Sequence, residues 1–486
     1  MSAERSVPPL LRVVIANAGK LTGGRLMLAM LRFAATLVLV QRAGMERFGE
    51  FALILSFILL AEWLSDFGLS DIAVRQIAAD PRRRPATLGA FGVAKLAQGV
   101  LAAVLLWASV SLAGYGEDVV HSALIAGAAV LVYIGVQLYR VEFRSQLQMG
   151  RDTGAEVVAA MVFLLAIWVV TGRDASLQTL TGCYVLSRAV NLVAAAGFAR
   201  GWPRMGFEGG FRSELRVLAV ASIPLGFTGL MVCTYEAMAQ IALSQWSTSE
   251  QVGIYAFGMR AMMLALVAEQ ALATAVFPLL STQWARDRPA FVRTLQTVLD
   301  WGLVISGGFF CFLHTGAPWL VSLVKDDSAA IADVLQLLSW AIPARVAVAL
   351  VGPMLVISGR LIHAVWIPVL VVVAKWVALT HYARDGASGA AIAFLIAEIG
   401  VGLLPNLFFC QWASGVWLRW SVPVRVVACS IAVVALTTVF GFEGGWHHAV
   451  LATAAYLLLV SLFGGIQMQT LKLLVHNVLR RRHDKP

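Results

Sequence analysis

Eight of the chain's 37 lysines and arginines stand inside segments that are otherwise apolar over helical length: Lys20, Arg25, Arg32, Lys95, Arg188, Arg260, Arg345 and Lys375. An ionised side chain near a bilayer centre costs about 2.5–3.5 kcal/mol on insertion scales. Eight of them uncompensated would cost on the order of 20 kcal/mol, so each needs an acid, a route to the interface or water in a cavity. Six acids occupy the same kind of segment: Glu62, Asp66, Glu236, Glu269, Asp300 and Glu398. Ion pairs that fix helix packing are one reading of such charges, and for Lys95, Arg188 and Arg345 the sequence asks for nothing more.

The first apolar helix does ask for more. Arg25 and Arg32 are seven residues apart, two helical turns, and share a face that Thr36 continues. Lys20 and Asn17 extend that face towards the start of the helix. A helix with three cations and no acid cannot turn this stripe to lipid, so it is predicted to line a water-filled, positively charged cavity. Gly19, Gly23 and Gly24 make its first half deformable.

The second helix supplies acids. Glu62 and Asp66 are spaced i,i+4 and are candidates for meeting Arg25 or for binding a coupling cation, H⁺ or Na⁺. Glu236 and Glu269 are further candidates for ion coupling or gating. Asp71 and Arg75 have the same i,i+4 spacing and predict an interfacial ion pair. Arg260 lies two turns into the eighth helix among Met259, Met262 and Met263, which read as adaptable packing and not as a metal site. Pro224, Pro343, Pro353 and Pro368 interrupt spans, as mobile or substrate-lining helices often allow.

The elements that must position these residues follow from composition. The chain has 486 residues, 59% hydrophobic and 13% charged, which excludes an aqueous globule. Fourteen spans are predicted, near 15–40, 48–73, 88–113, 120–141, 154–171, 176–199, 216–243, 252–280, 292–313, 331–357, 361–382, 388–413, 423–441 and 446–474. Connections assigned to one side hold 24 of the cations and those on the other side five, Arg42, Arg47, Arg173, Lys325 and Arg384. This bias makes the cation-rich side, with both termini, cytoplasmic. The net charge of +10 is therefore a topology signal. Clusters such as Arg82 to Arg84 face anionic headgroups, and nucleic acid is not an expected partner.

No connection is long enough to hide a catalytic domain, so any site lies within the bundle. Walker A, HExxH, GxSxG and dinucleotide motifs are missing, and the expected protein is not an enzyme. The five cysteines all fall in apolar segments without CxxC spacing and read as small hydrophobes. The polar first residues, with Pro8-Pro9, do not read as a cleavable leader.

The chain also repeats. Glu46, Gly49, Phe51 and Ala52 in MERFGEFA match Glu250, Gly253, Tyr255 and Ala256 in SEQVGIYA, each at an offset of 204. Six helices separate the two segments, so the halves would run in the same direction, as in transporters built from parallel repeats. The expected architecture is all-α: a six-helix lobe over 1–199, a second over 200–413, both around a central cavity, and a C-terminal helix pair with a basic tail over 414–486.

The stretch Glu46 to Ala78, ERFGEFALILSFILLAEWLSDFGLSDIAVRQIA, resembles the signature of bacterial polysaccharide flippases. These belong to the multidrug/oligosaccharidyl-lipid/polysaccharide exporter superfamily. The resemblance rests on Phe48-Gly49 with Phe51, on Asp66-Phe67-Gly68-Leu69, on Arg75, and on Val252-Gly253-Ile254-Tyr255 with Arg260 downstream. It implies rocking of two lobes that carries an undecaprenyl-pyrophosphate-linked oligosaccharide to the outer leaflet of the bacterial inner membrane. Polysaccharide polymerases and glycosyltransferases would be partners. It further implies that cations on the first and eighth helices contact the pyrophosphate, the fitting positions being Arg25, Arg32 and Arg260, with Lys20 and Lys375. In fourteen-helix members the final pair is associated with the lipid tail. Glu62 and Asp66 depart from this picture by placing negative charge nearby. A drug/cation antiporter of the same superfamily would want an acidic cavity, which the first helix opposes. A membrane glycosyltransferase or polymerase would want a large outer loop, which is missing.

Overall fold

The computed structural model describes residues 9–463 except 174, 200, 208–209, 325–328, 416–418 and 442–444. Some side chains on these helices also lie outside the described residues, those of Lys20 and Glu269 among them. The protein is an all-α membrane protein, with no strand among the described residues. In chain order the helices are α1 (Pro9–Asp66), α2 (Leu69–Ala79), α3 (Arg84–Leu112), α4 (Glu117–Ser145), α5 (Met149–Val170), α6 (Leu177–Ala199), α7 (Phe211–Trp246), α8 (Ser249–Arg286) and α9 (Arg288–Ser322). There follow α10 (Ala329–Ser339), α11 (Ala341–Val351), α12 (Pro353–Ile357), α13 (Leu361–Tyr382), α14 (Gly386–Leu395), a π-helical stretch (Ile396–Leu403), α15 (Leu404–Ser414), α16 (Ser421–Val439) and α17 (Trp446–Leu462).

Ten helical segments of the described chain are long and apolar enough to cross a membrane. About 20 helical residues span the hydrocarbon core, so the 57-residue Gly23–Ala79 and the 48-residue Val365–Trp412 can each cross twice. Both are interrupted, the first at Gly44 (φ 85°, ψ 165°), a conformation open to glycine alone without strain, and the second at the turn Ala383–Asp385. Fourteen crossings would need both long segments counted twice with α8 and α17 added; the described residues show ten spanning segments.

The second predicted span, 48–73, is not one helix. α1 ends at Asp66, Phe67 (φ 38°) and Gly68 (φ 78°) turn left-handed, and α2 starts at Leu69. The reason is close backbone packing. A Cβ on Gly68 would stand 2.9 Å from the backbone nitrogen of Gly226 on α7, and one on Gly226 would stand 2.5 Å from the Phe67 carbonyl oxygen. The Asp-Phe-Gly-Leu motif is thus a helix break docked on a glycine of α7.

The chain divides into two compact units. One comprises Met1–Ala268 with Pro368–Ala397, the other Glu269–Ile367 with Glu398–Pro486. In the first unit α1 runs beside α3, α4, α5 and α7, while α4 packs on α3 and α6. In the second, α9 is the central element, packed against α10, α11, α16 and α17. There the Tyr456 hydroxyl of α17 donates to the Val304 carbonyl of α9 at 3.0 Å.

Candidate functional site

The first unit settles most of its intramembrane charges by pairing. Lys95, fully buried on α3, stands 2.8 Å from Asp66. The Arg188 guanidinium on α6 donates to both Glu62 carboxylate oxygens, at 2.6 and 2.9 Å, and lies 4.3 Å from the Tyr133 ring centroid. Arg140 on α4 pairs with Glu156 and with Asp152 (3.1 Å) and donates to the Tyr133 hydroxyl at 2.6 Å. Low dielectric makes an unpaired ion costly, which is why these groups arrive in sets.

Two sequence expectations are corrected by this network. Glu62 and Asp66 do not meet Arg25, because Arg188 and Lys95 are their partners. Asp71 and Arg75 make no ion pair; the charged groups acting on Asp71 are Asp66 and Arg144. Both lie within α2, where the i,i+4 spacing puts them on one face without bringing the charges into contact.

The exceptions are on α1 and α8. Arg25 is half-buried and Arg32 exposed. Among the described residues, neither guanidinium makes a hydrogen bond or ion pair. Arg260 is half-buried on α8. Its Nη1 donates to Thr36 Oγ1 at 2.7 Å, and its Cζ stands 4.7 Å from the centre of the Phe48 ring. The charged neighbour acting on it is another cation, Arg32, and no described carboxylate pairs with it. Arg32 also lies within Coulombic reach of Glu156 and Tyr184.

The structure therefore brings Arg32 and Arg260 together, with Arg25 two turns away on the face of α1 that carries Arg32. Lys375 is elsewhere. It is fully buried, its ammonium donating to the Tyr235 carbonyl at 2.5 Å and standing 4.1 Å from the Tyr235 ring and 5.1 Å from that of Phe394. Glu236 is half-buried on α7 beside Cys233. Thr36, Phe48 and Tyr184 were not singled out as site residues. The Phe48-Gly49 motif was the signal for Phe48, but nothing in sequence spacing links α1 to Tyr184 on α6.

Two neighbouring guanidiniums without a matched carboxylate can receive an anion. Like charges repel, and an anion between them removes that repulsion while taking up the planar N–H donors. Phosphate oxygens fit this fork geometry bidentately.

The fold is that of solved transporters. It matches the lipid II flippase MurJ in an inward closed conformation with a TM-score of 0.74 and 12% identity, covering 93% of this chain and 99% of that one. An inward-facing multidrug resistance MATE family transporter of the MOP superfamily gives a TM-score of 0.64 and 16% identity, covering 80% and 95%. A point mutant of the Vibrio cholerae MATE transporter VcmN gives 0.58 and 16%, covering 83% and 97%. No curated protein matches by sequence. The sequence pattern of the family described as "Polysaccharide biosynthesis protein" matches residues 14–284, more than half of the chain, and this protein belongs to that family.

Proposed function

We propose that this protein is a flippase that carries a lipid-linked oligosaccharide, built on undecaprenyl pyrophosphate, from the cytoplasmic to the outer leaflet of the bacterial inner membrane. The observation that carries the reading is the adjacency of Arg32 and Arg260, two guanidiniums with no paired acid in a unit where the buried cations Lys95, Arg140 and Arg188 each have one. The diphosphate supplies the missing negative charge. The polyprenyl tail stays in the bilayer, and no covalent bond changes, so the activity is transport and not catalysis. Arg25 and Lys20 extend the anion path towards the cytoplasmic end of α1.

The reading includes fourteen crossings with both termini cytoplasmic and two parallel six-helix lobes, 1–199 and 200–413, that rock around the site. A polymerase and glycosyltransferases work on either side of the transport step. Coupling to H⁺ or Na⁺ would run through the acids Glu62, Asp66, Glu236 and Glu269, with Glu62–Arg188 and Asp66–Lys95 exchanging partners between states. Transport that ignores both ion gradients would remove that coupling.

The test uses proteoliposomes containing an undecaprenyl-pyrophosphate oligosaccharide with a fluorescent sugar end, whose transfer is read by a membrane-impermeant quencher. Arg25→Ala, Arg32→Ala and Arg260→Ala are each expected to abolish transfer while the protein still inserts. Unchanged transfer in all three would overturn the assignment.

A further inference from the structure

The Thr36 hydroxyl does two things at once. It donates to the Arg32 carbonyl at 3.1 Å and accepts from Arg260 Nη1 at 2.7 Å. Its side chain is buried, so water cannot replace it as acceptor. On another side of the guanidinium lies the ring of Phe48, itself fully buried. Thr36 precedes the break at Gly44 and Phe48 follows it. Arg260 is thus held by one residue from each half of α1, and the hydroxyl that holds it is tied to the turn bearing Arg32.

An arginine side chain is long and rotamer-rich, and beside another cation it is pushed away. Left to electrostatics, Arg260 would swing off Arg32 and the two would not present donors to one anion. Thr36 and Phe48 oppose that. The hydroxyl takes one N–H of the fork and the ring takes one face of the guanidinium plane, leaving the remaining N–H groups for phosphate oxygens.

We infer that Thr36 and Phe48 are positioning residues that seat Arg260 next to Arg32 and so set the affinity of the site for a diphosphate. Neither needs to touch the anion. The inference rests on the anion-site reading above, deepens it by naming what organises it, and assigns a role to the phenylalanine of the Phe48-Gly49 motif. It also makes one demand that bare packing would not. Their contribution must pass through Arg260.

The experiment measures inorganic pyrophosphate binding to the purified full-length protein by calorimetry, in wild type, Thr36→Val, Thr36→Ser, Phe48→Leu, Arg260→Ala and the double variant Thr36→Val/Arg260→Ala. Thr36→Val keeps the shape and removes the hydroxyl, and is expected to weaken binding about tenfold, the worth of a hydrogen bond to a charged group at the low end of its range. Thr36→Ser keeps the hydroxyl and is expected to bind as wild type. Phe48→Leu is expected to weaken binding less than Thr36→Val. In the Arg260→Ala background, Thr36→Val is expected to cost nothing further. If Arg260→Ala leaves pyrophosphate binding intact, the anion-site reading itself fails. If Arg260→Ala weakens binding but Thr36→Val does not, or weakens it additively in the double variant, the site stands and the positioning role is refuted. Should Thr36→Val not yield folded protein, Thr36→Ala beside Thr36→Ser makes the same comparison.

Discussion

Replacing Gly49 by alanine is expected to pry apart two helices at the contact that the repeated motif builds. A Cβ on Gly49 would fall 2.8 Å from the backbone nitrogen of Gly253 and nearer still to the Ser249 carbonyl oxygen, where ordinary contact begins at 3.4 Å. Both obstacles are backbone and cannot rotate aside, so α1 and α8 must part by more than the 0.6 Å between those two figures. Overpacking of this kind costs about 1–3 kcal/mol, which is a roughly 5- to 150-fold shift of a two-state equilibrium away from the conformation holding the contact. Spin labels at Glu46→Cys and Glu250→Cys report it, because both positions are exposed and flank the contact, while the five native cysteines are buried and react slowly. Pulsed dipolar spectroscopy should show the short-distance population of wild type drained into longer distances in Gly49→Ala. Proteoliposome transfer should fall with it, since alternating access needs both states. An unchanged distance distribution in a well-folded Gly49→Ala protein would refute the argument, because the added carbon has nowhere else to go.

Gly253→Ala should give the same outcome, since its Cβ would meet the Met45 carbonyl oxygen and lie 3.1 Å from the Met45 Cγ; a normal distance distribution there would count against the contact. Glu62→Gln strips Arg188 of its carboxylate partner and is expected to cost about 3–5 kcal/mol, read as a lower melting temperature in detergent, with Arg188→Met added to Glu62→Gln recovering part of it. Gly226→Ala pushes a carbon into Phe67 at the break between α1 and α2, and is expected to lower thermal stability more than Gly116→Ala, which meets nothing within 4 Å.

The all-α membrane class was legible in sequence because lipid leaves few options. A chain this apolar must satisfy its backbone within helices. The stripe of Arg25, Arg32 and Thr36 was also legible, since seven-residue spacing fixes a shared face. What the spacing could not carry was contact between distant segments. Glu62 and Asp66 share a face of α1, yet one meets Arg188 on α6 and the other Lys95 on α3. Lys375 and Arg260 look alike as isolated cations in apolar runs, but one is enclosed by Tyr235 and Phe394 and the other stands beside Arg32. The break at Phe67-Gly68 was hidden because the hydropathy of the span continues through it. Only the approach of Gly226 explains why the backbone turns there.

The repeat acquires physical content at one place. Met45 and Gly49 correspond to Ser249 and Gly253 at the offset of 204. Gly49 abuts Ser249 and Gly253, and Gly253 abuts Met45. Each segment therefore presses its glycine against the same backbone position of its counterpart. Reciprocal contact of this sort is what a two-fold relation produces: residue i meets j, and the partner of j meets the partner of i. It also explains why glycine is needed twice, since the axis brings backbone onto backbone and leaves no space for Cβ on either helix. Arg260 follows Gly253 by seven residues, two turns along the same face of α8, and Phe48 precedes Gly49 by one. The contact that joins the repeated segments thus places the ring under the guanidinium. Separation of α1 from α8 would withdraw Phe48 from Arg260 and loosen the site that the two helices build between them.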